Sequence, residues 1–396
     1  MPNRKKILIL TPRFPYPVIG GDRLRIYEVC KELSKSYDLT LVSLCENQFE
    51  MSYAVPKDEV FKNVYRVFLP KWKSYLNCLF SLPISKPLQV AYYQSRKFRS
   101  LVEELSINHD MVLPHLIRTA EYVKNLDVKK ILEMTDAISM NYTRVSQIKN
   151  NSGLKGLIYR IEKDRLNKYE KNIAAHFDCN VFVSQIDRDF LYSNIPEVID
   201  KTLVCSNGVD LSKLPYRFIP GGNKLVFIGN MYSAQNFDAA YWFAKNVLPI
   251  IRQHGDYEFH VIGKIPTDCQ KKLMQISGVV VTGAVESVVE HAKGALAGIC
   301  SVRLAAGVQN KILEYMALGI PTITSSTGLE GLFAKEGESI LVADSPDSYV
   351  KHILELKNNI RLAEVIAHNA LRYVKEQHSW DVKLKPLINK VQQLLK

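Results

Sequence analysis

The sequence predicts an α/β protein of two doubly wound, Rossmann-like domains in tandem that face a cleft. Three observations lead there. Short apolar runs alternate with amphipathic stretches of helical length, the pattern of a parallel sheet wrapped by helices. The alternation breaks once, at a segment rich in glycine and proline, and then restarts. With 396 residues and 47% hydrophobic content, the chain can bury two cores.

The elements follow in order. KKILILT at residues 5–11 reads as the first strand, and after RFPYPVIGGDRLR a helix runs to about Ser36. YDLTLVSL, VYRVFLP, DMVLPH, KKILEM and CNVFVS read as further strands, and a long charged helix covers about Gly153 to Ala175. TLVCSNGVDLSKLPYRFIPGGN then reads as a linker. KLVFIGN, YEFHVIG, GVVVTG, AGICSV and PTITS carry the second sheet, and the chain is helical again from about Ser345, with a break near Trp380. The expected boundaries are an N-terminal domain over 1–205, a linker over 206–223 and a C-terminal domain over 224–379. A last helix, about 380–396, is expected to pack back on the first domain. In such sheets ligands bind beyond the carboxyl ends of the strands.

Composition narrows the function. The seven cysteines are scattered and form no CxxC pair, which argues against a disulfide framework or zinc site and for a reducing compartment. The basic tip is followed by an apolar run of only Ile7 to Leu10, and no run approaches the roughly 18 residues of a membrane span. The expectation is a cytoplasmic protein. Net charge is +12, and residues 51–100 hold nine Lys/Arg against two acids. So local an excess points to an anionic surface as partner, a phospholipid before a nucleic acid.

The stretch AAGVQNKILEYMALGIPTIT, residues 305–324, admits two readings. As structure, Ile312, Leu313, Met316 and Ala317 make an apolar helix face, Gly319 caps it and Pro321 prevents continuation. As a site, Ala305-Ala306-Gly307 leaves an open approach to a helix N-terminus, where backbone N–H groups favour anions. Lys311 stands in the first turn, a poor place for a cation unless a diphosphate is bound. Glu314 shares its face and suits a sugar diol, and Arg303 is placed for a second phosphate contact.

Gly307, Lys311, Leu313-Glu314, Met316-Ala317, Gly319 and Pro321 resemble the nucleotide-sugar site of family four of the retaining glycosyltransferases, which have the GT-B fold. The resemblance implies ribose binding by Glu314. The family's first glutamate, seven residues earlier, is replaced by Ala306. SNGVD at 206–210 and FIGNMYSAQNFDAAYWFAKNVLPII also look like family signatures. The resemblance places Gly229 and Asn230 at the donor. Where many relatives carry an arginine and a lysine, this chain has Asn230 and Gln235, so Arg303 and Lys311 are expected to meet the phosphate charge. TGLEGL, 327–332, resembles a loop that closes near the donor, with Glu330 as a hydroxyl contact.

In the first half, PYPVIGGDRLR reads either as a turn or as a glycine loop, with Gly20 and Gly21 bringing backbone near donor phosphates or acceptor. His115 ends a strand, and the resemblance implies that it lies near the reacting sugar. LPHLIRTAEYV and ILEMTDAISMNY resemble the branch serving surface-polysaccharide assembly. In residues 70–100, Trp72, Leu76, Leu79 and Phe80 form one helical stripe with Lys71 and Lys73 away from it. That fits an interfacial helix on an anionic inner-membrane surface, or a helix packed on its own domain with a solvated basic face. No motif for nucleic acid accompanies the charge.

The expected protein is a cytoplasmic, peripherally membrane-associated glycosyltransferase. It would move sugar from a nucleotide diphosphate sugar to a lipid-linked or growing glycan acceptor, with retention. No DxD-type motif is placed to bind a metal, so His115, Arg303 and Lys311 are taken as the chemical residues, with no metal and no cofactor beyond the donor. The alternatives are a non-catalytic nucleotide-sugar-binding member of a polysaccharide assembly complex and a GT-B sugar-nucleotide epimerase.

Overall fold

Apolar runs become short strands, those inside the two sheets buried on both faces as parallel strands flanked by helices are, and the edge strands Asn63–Phe68 and Val279–Gly283 largely uncovered. β1 (Lys6–Thr11), β2 (Asp38–Cys45), β3 (Asn63–Phe68), β4 (Met111–Pro114), β5 (Lys129–Thr135), β6 (Cys179–Phe182) and β7 (Thr202–Val204) form a seven-stranded sheet. Its order is β3-β2-β1-β4-β5-β6-β7, with every pairing parallel. β8 (Lys224–Ile228), β9 (Glu258–Ile262), β10 (Val279–Gly283), β11 (Ala297–Cys300), β12 (Thr322–Thr324) and β13 (Leu341–Val342) form a six-stranded parallel sheet in the order β10-β9-β8-β11-β12-β13. Strand order therefore reverses between β1 and β4 and between β8 and β11, the switch points at which doubly wound sheets open a crevice. This computed structural model describes residues 4–18, 21–82, 86–147, 154–303 and 308–396.

Two compact units result, Met1–Asn207 with Lys383–Lys396, and Gly208–Val382. The first is centred on Leu8, Leu10, Val42, Val112, Leu132 and Phe182, the second on Leu225, Phe227, Phe243, Phe259, Ile299 and Ile323. From Lys383 on, the last helix (Trp380–Leu394) belongs to the first unit, with Leu384, Leu387 and Val391 buried. β7 lies inside a segment read from the sequence as linker, and β13 was not read at all; edge strands this short carry no periodicity to recognise.

The helix Asn310–Leu318 is pressed onto the second sheet. Gly319 ends it in the left-handed conformation (φ 80°), and its N–H reaches the carbonyl of Met316. Tyr315 lies against Gly298 of β11, accepts from the Ile228 amide at 2.8 Å and donates to the Ile299 carbonyl at 3.2 Å. A methyl at position 298 would stand 2.3 Å from the Tyr315 ring. Gly298→Ala should therefore overpack this contact and cost about 1–3 kcal/mol. Urea denaturation would measure it, and an unchanged midpoint would mean that the helix can lift off the sheet freely.

Candidate functional site

In the second unit the candidate residues gather where β8 and β11 end. Lys311 is 8% exposed, although it sits in the first turn of the helix. Its ammonium donates to Asn236 Oδ1 at 2.9 Å and Gln309 Oε1 at 3.3 Å, and lies 5.1 Å from the centre of the Phe227 ring. Burial pulls its pKa down, against the raising influence of Cys300 and Glu314. Glu314, one turn on, is also largely covered, and burial pushes its carboxyl up against the opposing charge of Lys311. Among the described residues it accepts no hydrogen bond and is in no ion pair. Both side chains are thus held where their charged forms are disfavoured.

Gly229 follows β8 and its N–H reaches the Ile262 carbonyl at 2.9 Å. A Cβ there would meet Asn236 at 3.2 Å, so the chain passes close to that amide. Asn230 accepts from the Tyr232 N–H with its side chain and from Asn236 Nδ2 with its carbonyl, at 3.1 Å each. Asn236 therefore ties the loop after β8 to Lys311. It was not singled out in the sequence; its place in the first turn of the helix Ala234–Asn246, beside the glycine that ends β8, was the available signal.

Arg303 is placed differently from the expectation of a free phosphate contact. It forms a two-pronged ion pair with Asp238, at 2.6 and 3.2 Å, and lies 5.9 Å from the Trp242 ring. Asp238 was missed because 65 residues separate the partners. The pair is half-exposed, so water screens it and its hold is weak. Glu330 is exposed, just after the short helix Ser326–Leu329. Gly307, with Ala306, lies outside the described residues, as does Gly20.

In the first unit Gly21 opens the helix Gly21–Ser34, and a Cβ there would meet nothing within 4 Å. Asp22 pairs with Arg13 at 3.4 Å and Arg23 with Glu50 at 2.7 Å. Arg25 turns inward, fully buried, to Glu133 Oε1 at 3.2 Å. The other oxygen of Glu133 takes His115 Nδ1 at 2.6 Å and the Thr135 hydroxyl at 2.8 Å. Burial opposes ionisation of Glu133, but the Arg25 guanidinium and these hydrogen bonds prevail and hold its pKa at about 2. An ionised carboxylate only accepts, so His115 carries its proton on Nδ1. His115 Nε2 is buried and meets no partner among the described residues.

Two non-glycine residues at positive φ, Leu116 (65°) and Thr135 (66°), flank this network. A β-branched residue in that region is strained, and such strain persists only where surrounding contacts impose it. The backbone is bent to bring His115 onto Glu133. Nearby, burial followed by the charges of Asp187 and Glu133 pushes Asp136 up to about 6. Burial also raises Glu170 to about 7, although it caps the Ile138 and Ser139 amides.

The fold is that of GT-B glycosyltransferases, two parallel-sheet Rossmann-like α/β domains. Residues 222–359 match the family model described as glycosyl transferases group 1. A Klebsiella pneumoniae protein described as an uncharacterized 44.6 kDa protein in the cps region is 24% identical, covering 94% of this chain and 96% of that protein. Sucrose-phosphate synthase from Thermosynechococcus elongatus superimposes with a TM-score of 0.66 at 11% identity, over 99% of each chain. HepE from Anabaena, solved with UDP, gives 0.63 at 11% identity, over 98% of this chain and 100% of that one.

The buried network around Glu133 makes a test that needs no ligand. Glu133→Gln removes the buried carboxylate that Arg25 meets and should cost about 3–5 kcal/mol at pH 7. Because its folded pKa lies below the ordinary 4.5, the Glu133 contribution is present above 4.5 and lost as pH falls toward about 2. The gap between wild type and variant in urea should therefore narrow from pH 7 to pH 3.5. A gap that is absent at pH 7, or constant with pH, would remove the network from the stability of this unit.

Proposed function

We propose that the protein is a glycosyltransferase that moves a sugar from a nucleotide diphosphate sugar to a lipid-linked or growing glycan acceptor. The observation that carries this reading is the covered Lys311 ammonium beside Glu314, at a helix N-terminus within the segment that matches the group 1 family model. The relative in a cps region supports a role in polysaccharide biosynthesis.

In the transfer, the bond from the anomeric carbon to the diphosphate oxygen breaks. A bond to an acceptor hydroxyl forms on the same face of the sugar, and the hydroxyl proton passes to the departing diphosphate oxygen. Negative charge grows on the departing diphosphate. Lys311 and the amides at the start of its helix are the groups that meet it, in a covered site where such contacts are strong. They meet this charge without a metal. Glu314 accepts the ribose hydroxyls, which its unpaired carboxylate is free to do among the described residues. Arg303 reaches the phosphates by exchanging Asp238 for them.

A thermal-shift screen against UDP, GDP, ADP, TDP and CMP, with and without magnesium, tests the donor site. One diphosphate should stabilise the protein in both conditions. Lys311→Met should abolish the shift while leaving the unliganded melting temperature the same or higher, because it deletes a buried charge. For Glu314→Ala, calorimetry should find the nucleotide bound about tenfold more weakly, the loss expected for hydrogen bonds to a charged group. A protein that no nucleotide stabilises, or variants that bind like wild type, would overturn the reading.

The acceptor side of the proposal is membrane association through the helix Lys71–Ser81. Ser74 and Ser81 face inward, while Trp72, Tyr75, Leu76, Leu79 and Phe80 are exposed, Phe80 at 71%. At roughly 100° per residue, Lys71 and Lys73 flank that apolar arc on opposite sides. A lipid surface suits this arrangement, with rings and leucines in the interface and lysines reaching headgroups. Among the described residues no helix is long and apolar enough to cross a membrane. Reversing Lys71, Lys73, Arg96 and Lys97 to glutamate should release the protein from vesicles containing phosphatidylglycerol, since each basic residue contributes about 1 kcal/mol. Wild type that stays in the supernatant would end this part of the proposal.

A further inference from the structure

A cavity of about 400 Å³ opens in the first unit, and it is not the site built on Lys311. It lies beyond the carboxyl ends of three strands: Arg13 follows β1, Glu46 follows β2, and Arg118 stands in the short helix Ile117–Ala120 after β4. Lys71 adds a third cation to its wall. Arg118 is mostly covered and has no carboxylate within ion-pairing distance among the described residues. Its Nε and Nη2 share one amide oxygen, Gln89 Oε1, at 3.2 and 3.0 Å, and its guanidinium lies 5.3 Å from the Tyr93 ring. Burial lowers its pKa, and the charge of Arg13 lowers it further. Arg13 donates to the Tyr93 hydroxyl at 3.2 Å, pairs among the described residues with the half-exposed Asp22 and also feels the charge of Glu46. The wall also holds a carboxylate, Glu46, and burial together with its charge pushes the Tyr92 hydroxyl up to about 12.

A covered guanidinium repelled by a second, half-exposed one, with most of the Arg118 donor fork unused, describes a place for a multiply charged anion. The wall on one side is the helix Lys71–Ser81. Lys71, Tyr75 and Cys78 face the cavity, and the adjoining face of the same helix carries the exposed Trp72, Leu76, Leu79 and Phe80. An anion pocket opening onto an apolar ramp matches a ligand with a phosphorylated head and a hydrocarbon tail.

We propose that this cavity seats the diphosphate of a lipid-linked acceptor. Arg118, Arg13 and Lys71 hold its phosphate oxygens. Tyr92, Tyr93 and Glu46 flank the first sugar, with Glu46 accepting from a hydroxyl. The hydrocarbon chain lies along the exposed face of the helix Lys71–Ser81. This rests on the glycosyltransferase reading and names its acceptor class.

Calorimetry on the full chain tests it with farnesyl diphosphate, farnesol and inorganic pyrophosphate. Farnesyl diphosphate should bind about tenfold or more tightly than either part alone. Arg118→Gln and Arg13→Gln should each weaken it about tenfold, the loss of a charge-assisted contact, and Arg118→Lys less. The thermal shift by the preferred nucleotide should be unchanged in all three variants, which also shows them folded. Variants that bind farnesyl diphosphate like wild type, a wild type that does not bind it, or a nucleotide that competes for it would overturn the assignment. Loss of the nucleotide shift in wild type, with arginine-dependent binding of farnesyl diphosphate intact, would instead sink the donor reading and leave the cavity as an anionic-lipid site.

Discussion

Lys311 is charged in a place that opposes charge twice. The helix end it occupies is already positive, and the surrounding side chains remove water from it. What holds it there is a short chain of polar contacts, from the ammonium to Asn236 and from Asn236 to the Asn230 carbonyl. That chain depends on the close pass of Gly229, and the helix itself depends on Tyr315 lying flat on Gly298. The second unit is assembled so that a cation and a carboxylate stand covered and incompletely matched. Such a pair is a poor stabiliser of a fold and a good receptor for a ligand that brings the missing charge.

The first unit treats its buried charge in the opposite way. Glu133 is matched on both oxygens, by Arg25 on one and by His115 and Thr135 on the other. Among the described residues His115 Nε2 is the histidine nitrogen that this network leaves over. Its function is therefore positional: it fixes which nitrogen of the histidine is protonated and which is left over. The strain at Leu116 and Thr135 is the backbone cost of that position.

Much of this was legible in the sequence, for physical reasons. Parallel strands are buried on both faces, so they read as continuous apolar runs, and the runs beginning at Lys5, Asp110 and Lys224 all became strands. Lys311 and Glu314 share a helix face at a spacing of three, which is local information. The partners that give those residues their meaning are not local. Asn236 is 75 positions from Lys311, and Glu133 is 108 from Arg25. Arg303 illustrates the consequence: its place at a strand end was readable, but its ion pair with Asp238 was not. Arg13 and Arg118, the latter inside LPHLIRTAEYV, were passed over because they lie far apart in the chain; only the packing of Tyr93 between them makes them a pair.

The basic surplus can now be divided by what opposes it. Arg66 is spent internally, on the carbonyls of Glu50, Met51 and Tyr53, and Lys86 lies 3.6 Å from Glu121. Lys71, Lys73, Arg96 and Lys97 have no ion pair among the described residues and remain exposed. A solvated basic face would scatter such residues among polar neighbours. Here the two lysines bracket five exposed aromatic and aliphatic side chains, and hydrophobic surface of that extent in water is a cost unless something covers it. A lipid surface would cover the apolar arc and answer the charge together. A protein partner would answer both only with an acidic rim around an apolar centre. The proposed anion site in the neighbouring cavity favours lipid, because it would hold the one part of a lipid-linked glycan that is neither hydrocarbon nor sugar.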